Sequence, residues 1–415
     1  MKVFKFGGAS LKSAQAIRNM VSIVKAHQEA PMLIVVSAIG KTTNALEDVL
    51  RIFHTGGDYQ PALQTVKDYH TAICTDLFTS PNEIAAKIDQ IFGALHTKFD
   101  AGQDPDQLYD QIVSAGELLS SVLVAQCLSE SGVPCEWVDA RNHIVTNSSF
   151  REGKVDWQKT EERILPLKQV LEVKSIITQG FIAGTEDGKF TITLGREGSD
   201  FTAAIFASCL NADSVTIWKD VPGVMSADPK RISNAIVFDE LPYKEAAEMT
   251  YYGASVIHPK TIKPLALKQI PLFVKSFDNP ALSGTKIHEC HIDDLPPLIV
   301  FKENQCLISC KVTDYTFLNE QQVGTIFHAL SELDIKINVM QNSAISFSFC
   351  VDFRENKILQ LIHALQQHFE VYYNTGLTLI TVKNYDDDTF NTYRKKPGIL
   401  IEQSSRSTLQ VLLKL

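Results

Sequence analysis

Residues 3–6, Val-Phe-Lys-Phe, form a short apolar run that stops at Gly7-Gly8, and this junction constrains the chain more than any other stretch. Such a run reads as a buried strand, and the glycines after it are free to take positive φ or to admit a ligand to the backbone. Ser10 is placed to cap a helix, because Leu11, Ala14, Ile17, Val21 and Val24 recur at helical spacing. A strand, a Gly-Gly turn and a helix N-terminus gather backbone N–H groups where an anion can sit. Lys5 adds a positive charge at the strand's end. Two readings follow: a phosphate cradle, or a plain strand–turn–helix with a surface lysine. Neither G-x-x-x-x-G-K-S/T nor G-x-G-x-x-G is present, so those two phosphate fingerprints do not apply.

Residues 31–37 give a second all-apolar strand, as parallel strands covered on both faces require. From about residue 44 to 131 the pattern is helical, with clear apolar spacing over 82–98 and 108–128, and predicts a helical insertion. Strands are then expected at 135–139, 175–178, 190–194 and 214–218, with a glycine-punctuated turn at 179–184, a polar loop at 195–200 and a small-residue helix at 201–210. The alternation predicts an α/β sandwich around a mostly parallel sheet, with chemistry at the carboxyl ends of its strands. Residues 292–297 (Ile-Asp-Asp-Leu-Pro-Pro) read as a linker. Beyond it, strands at 307–312, 336–340 and 345–351 with helices at 319–333 and 357–368, then a second round of segments at 377–382, 389–394, 398–402 and 409–415, suggest two similar small β-α-β-β passages. The domains expected are therefore 1–290 and 298–415. The second passage has no closing helix after Leu415, which predicts completion by a partner chain and a homodimer.

The net charge of −9 argues against a nucleic-acid or anionic-membrane partner. No apolar run reaches the ~18 residues that span a bilayer, and the first residues lack the pattern of a signal peptide. The eight cysteines are scattered without a C-x-x-C, so they read as reduced thiols of a cytoplasmic protein. His288-Glu289-Cys290-His291 holds potential metal ligands, but their spacing fits no zinc pattern and no metal site is expected there.

Five polar elements fall at strand ends: Lys5 with Gly7-Gly8; 37–43 (SAIGKTT); 114–117 (SAGE); 193–200 (TLGREGSD); and 218–230 (WKDVPGVMSADPK). With 252–259 (YGASVIHP) they resemble, in order and rough spacing, the motifs of the amino-acid kinase family and of its aspartate kinases. The resemblance covers about residues 1–285; the last third is similar to the tandem ACT-type regulatory modules of the same enzymes. It implies an amino-acid-kinase-like α/β/α sandwich and phosphorylation of the L-aspartate side chain by ATP to 4-phospho-L-aspartate, the first step towards lysine, threonine and methionine. The nucleophile would be a carboxylate, already ionised at neutral pH, so no general base is needed and catalysis rests on positioning and charge neutralisation.

The same resemblance assigns Lys5, Gly7, Gly8 and Asp200 to catalysis, with Lys5 on the transferring phosphoryl group. Ser37, Thr43, Glu117, Arg196 and Ser199 would bind substrate, Arg196 through its planar fork on a carboxylate and Glu117 on the ammonium. Lys5, Gly8, Ser10, Lys219, Asp220, Met225, Asp228 and Lys230 would hold the nucleotide. His258-Pro259 reads as a helix end that shapes the nucleotide side rather than as a catalytic base. Magnesium would arrive with ATP, bound mainly through phosphates, without a protein cage. Departures from the family pattern are Glu197 in place of a glycine, Lys219 of a threonine, Met225 of a tyrosine, Lys230 of an arginine and Ser255 of a lysine. In the ACT-type segment, Asn338 and Ala344 stand where lysine-sensitive members carry acids. A weak or altered lysine response is expected, since a cationic effector would lose two partners.

Overall fold

The computed structural model describes residues 1–254, 257–313 and 316–414; Ser255, one of the departures above, lies outside the described residues. The chain divides into two units: Met1–Val224 with Val237–Ala247 and Val256–His291, and Met225–Ile236 with Glu248–Ser255 and Ile292–Leu415.

The first unit is built on β1 (Lys2–Phe6), β2 (Leu33–Val36), β3 (Cys135–Val138), β4 (Val145–Thr146), β5 (Ser175–Gln179), β6 (Ile182–Thr185), β7 (Thr191–Thr193), β8 (Ser214–Lys219), β9 (Glu240–Pro242), β10 (Leu272–Ser276) and β11 (Thr285–His288). Its main sheet runs β3-β5-β2-β1-β8-β10-β11-β9. The first six strands are mutually parallel, β11 lies antiparallel to β10, and β9 follows β11 in parallel. The α/β class expected from the alternation is thus borne out. The chain leaves β1 towards β2 on one side and enters β8 on the other, so strand order reverses at β1. In open parallel sheets the ligand crevice opens at that point, beyond the carboxyl ends of the strands.

Alternation along β1 separates core from chemistry. Phe4 and Phe6 enter the core with Ile17, Met20, Leu119 and Leu123, and Trp218 stacks on Phe6 with ring centroids 6.0 Å apart. Lys5 takes the opposite face, where the helix Gly198–Leu210 begins. That helix is buried nearly all round, which its run of Ala, Ile and Phe permits. It starts three residues before the expected 201, so part of the presumed polar loop is its first turn. The expected turn at 179–184 also contains strand: Ile182–Thr185 pairs antiparallel with Thr191–Thr193, and the sharp entry falls on Phe181 at φ 68°.

The insertion is helical, as the spacing predicts, with helices Thr42–His54, Gln60–Leu77, Asn82–His96, Pro105–Val113 and Ala115–Glu130. The stretch 105–130 is, against expectation, long and apolar enough to cross a membrane by length and composition; most of it is buried inside the fold, and its apolar content serves the core.

The second unit is a six-stranded antiparallel sheet, β13-β14-β12-β15-β17-β16, formed by β12 (Leu298–Lys311), β13 (Ile337–Asn342), β14 (Ser346–Asp352), β15 (Glu370–Lys383), β16 (Ile399–Ser404) and β17 (Thr408–Leu413). The two expected passages share β12 and β15, which pair along their length with irregularities between Lys302 and Leu307. Both strands look shorter in the sequence, because the polar residues 302–305 at the bulge, and 374–375 before the positive-φ Gly376, resemble loop.

Candidate functional site

A cavity of about 560 Å³ opens at the carboxyl ends of β1, β2 and β8. Its wall carries Lys5, Gly8, Ser37, Thr43, Glu117, Arg196, Ser199, Asp200 and Lys219. Residues from four of the five polar elements, and the strand-end Lys219 of the fifth, therefore converge on one space within the first unit.

The loop after β1 is shaped for close approach. A Cβ at Gly8 would lie 2.7 Å from the carbonyl oxygens of Ala38 and Gly40, so only glycine lets this loop and the one after β2 meet. The Gly40 N–H donates to the Gly8 carbonyl at 3.0 Å and locks the two loops together. Neither Gly7 nor Gly8 has positive φ; the demand is space, not a left-handed backbone. The helix cap also differs from expectation. Residues 8–11 form a 3-10 turn, Leu11 plunges into the core, and Ser13 rather than Ser10 caps the helix Ala14–Ala26 by accepting from Ala16 N–H at 3.2 Å. Ser10 is buried, and neither it nor Gly7 is on the cavity wall.

Lys5 and Asp200 form the electrostatic centre. Lys5 Nζ lies 2.6 Å from Asp200 Oδ1, and Lys219 Nζ lies 3.3 Å from Oδ2. Burial pushes the Asp200 carboxyl up, but the two ammonium charges and their hydrogen bonds outweigh it and hold the group below the ordinary range. Two cations on one anion leave a net positive wall, suited to phosphate.

Glu117, in the first turn of the helix Ala115–Glu130, is fully buried. Oε1 accepts from Ala38 N–H at 3.3 Å, while Oε2 has no partner among the described residues. Burial pushes this carboxyl up to about 8, against the opposing pull of the Ala38 N–H and the Lys5 charge. Arg196 is exposed at the rim, with no hydrogen bond or ion pair among the described residues. An orphaned acceptor and a free planar fork thus share one cavity with the lysine pair. Such a set fits an ammonium, a carboxylate and phosphates together.

Glu197 sits on the same wall at φ 53°, a left-handed conformation that favours glycine. Its carboxyl is pushed up by burial, while Lys219 pulls it down. Of the other expected nucleotide residues, Asp220 is exposed just beyond β8 and does not line the cavity. Met225, Asp228 and Lys230 belong to the second unit, where Ile299 N–H donates to Ser226 O and Asp228 Oδ1 accepts from Lys230 N–H at 2.9 Å in a local turn.

Sequence reasoning did not single out Tyr109, Arg151, Phe181 or Ala38 on the wall. Arg151 and Thr193 are brought there by the buried Asp110. Its Oδ2 accepts from the N–H groups of both, at 2.9 and 3.0 Å, and its Oδ1 from the Thr193 hydroxyl at 2.6 Å. The Arg151 guanidinium then lies 3.9 Å over the Tyr109 ring. No motif spans these positions; a fully apolar helix face interrupted by Asp110 was the available signal.

Comparison with known proteins agrees with this geometry. The amino acid kinase family matches residues 1–276. The chain is 33% identical over 357 residues to lysine-sensitive aspartokinase 3 of Escherichia coli, covering 84% of this chain and 78% of that protein. It is 30% identical over 385 residues to the chloroplastic bifunctional aspartokinase/homoserine dehydrogenase 1 of Zea mays, covering 88% of this chain but only 41% of the relative. The chain thus spans about two-fifths of the bifunctional relatives it matches. A crystal structure of E. coli aspartokinase III with aspartate and ADP superposes with a TM-score of 0.87 at 28% identity, over 100% of this chain and 96% of that one. Together these matches show that the chain belongs to the amino acid kinase family, on its aspartokinase branch.

Proposed function

We propose that this chain transfers the γ-phosphoryl group of ATP to the side-chain carboxylate of L-aspartate, giving 4-phospho-L-aspartate and ADP. The observation that carries the reading is the pairing, in one cavity, of Glu117 Oε2 and the Arg196 fork, both without a partner among the described residues. An amino acid substrate needs one group of each sign. Glu117 takes the ammonium and Arg196 a carboxylate, while Ser37, Thr43 and Ser199 offer hydroxyls that orient the nucleophile. The attacking oxygen is ionised without a base, so the protein's task is placement. Lys5 neutralises the transferring group, and Asp200 fixes its ammonium at 2.6 Å. Gly8, and Gly7 beside it, keep backbone N–H groups close to the phosphates. Lys219 adds a second cation beside the phosphates. A magnesium ion on the nucleotide would neutralise phosphate charge, and Asp200 and Glu197 are the wall carboxylates that would face it. Trapping of the acyl phosphate by hydroxylamine tests the reading, with glutamate as the discriminating alternative substrate.

The reading extends to a cytoplasmic homodimer whose second unit is a pair of ACT-type modules with a weak lysine response. In support of the last point, Asn338 is already engaged: Lys302 Nζ donates to its Oδ1 at 2.8 Å, and its Nδ2 donates to Gln305 Oε1 at 2.6 Å and Asp352 Oδ1 at 3.0 Å. Lys302 Nζ also lies 2.9 Å from Asp352 Oδ1, so the chain supplies its own ammonium to this network.

A further inference from the structure

We propose that Glu240, His288 and Cys290 form a binding site for a zinc-like divalent transition-metal ion on the edge of the first unit. Their ligand atoms all lie within 4.8 Å of one another, and His288 Nε2 is 3.3 Å from Glu240 Oε2. A tetrahedral ion with bonds of about 2.0–2.3 Å spaces its ligand atoms about 3.3–3.8 Å apart, so small side-chain movements close the set.

The fold explains why these three meet. β9 pairs in parallel with β11 so that Glu240 lies opposite Lys286. Lys286 and His288 are two residues apart and share a face of the sheet, which sets His288 diagonally beside Glu240. Cys290 lies two residues past the end of β11, and the bend between them brings its sulfur to the same pair. The adjacent run His288 to His291 fits no zinc spacing because the third ligand comes from residue 240, on another strand. The donor types also match: imidazole, thiolate and one carboxylate suit zinc, and the two anions balance its charge. Binding displaces the thiol proton to solvent as the sulfur–metal bond forms, and frees Glu240 from Lys286, whose Nζ is 3.9 Å from Oε1. Glu240 is exposed and the other two are half-buried, so an ion has a path in. An ion here ties β9 to the last residues of the first unit, which ends at His291.

The test is a titration of Co²⁺ into the reduced, metal-free full chain, read by absorbance. The expected result is a thiolate-to-cobalt charge-transfer band saturating at one equivalent, quenched by Zn²⁺, with Zn²⁺ raising the melting temperature. Cys290→Ser abolishes the band while circular dichroism and basal activity stay unchanged. His288→Ala and Glu240→Gln, which remove direct ligands, weaken binding by at least the ~10–100-fold typical of losing an outer-shell partner. Absence of binding, cobalt binding without a charge-transfer band, or a band that survives Cys290→Ser would each overturn the proposal.

Discussion

Lys5 Nζ and Asp200 Oδ1 lie 2.6 Å apart with both side chains almost wholly out of solvent. The strand β1 presents Lys5 on the face opposite its phenylalanines, and the first turn of the buried helix Gly198–Leu210 presents Asp200 to it. Removing either partner leaves a buried charge. Asp200→Asn leaves Lys5 and Lys219 facing each other and is expected to cost about 3–5 kcal/mol of stability, measured by chemical denaturation. Lys5→Ala is expected to lower kcat by about 10²–10³, with the aspartate KM changing far less. Normal kcat in Lys5→Ala would remove its assigned role.

Glu117 gives the account a pH signature. Its carboxyl ionises near 4.5 when unfolded and near 8 when folded. Between those values the folded chain holds the extra proton, so stability falls as pH rises through the window. The contribution is whole below pH 4.5 and gone above about 8. The difference in melting temperature between the native chain and Glu117→Gln is expected to shift in favour of the variant over that interval. Substrate binding adds a second readout: an ammonium requires the ionised carboxylate, so the aspartate KM is expected to fall, by up to about tenfold per pH unit, as pH rises towards 8. A KM independent of pH would contradict the pairing.

The strain at Glu197 is read by stability rather than by activity, since its carboxylate also lines the cavity. A non-glycine residue at φ 53° with a half-buried carboxylate costs on the order of 1 kcal/mol. Glu197→Gly is therefore expected to raise stability by about that amount in urea denaturation. No change, or a loss, would mean that the carboxylate's interaction with Lys219 outweighs the backbone.

Much of this site is legible in the sequence because it is local. Lys5, Gly8, Glu117, Arg196 and Asp200 each lie within a few residues of a strand or helix end, and a parallel sheet gathers such ends automatically. Arg151 is not legible, because Asp110 places it through a hydrogen bond across 41 positions, and Tyr109 meets it only as the ring beneath its guanidinium. Helix starts misled by three residues at both Ser10 and Phe201, since a 3-10 turn in one case and a left-handed residue in the other shifted the boundary. The long strands β12 and β15 were hidden by their own bulges and polar residues, which carry the period of a loop.

The second unit predicts its own pharmacology. With Asn338 satisfied by Lys302, Gln305 and Asp352, and no acid at Ala344, the native chain is expected to keep most activity at lysine concentrations that inhibit the E. coli relative. Asn338→Asp with Ala344→Glu is expected to strengthen lysine inhibition by about tenfold or more. Strong inhibition of the native chain by low lysine would contradict this reading.

Hydroxamate formation from ATP and L-aspartate by the purified chain, followed across aspartate concentration, tests whether this cavity passes phosphate to aspartate. The native chain is expected to give aspartyl hydroxamate, and Arg196→Ala is expected to stay folded while its aspartate KM rises by about a hundredfold, the loss of a two-point charged hydrogen bond. No hydroxamate from the native chain, or an unchanged KM in Arg196→Ala, would contradict the proposed function.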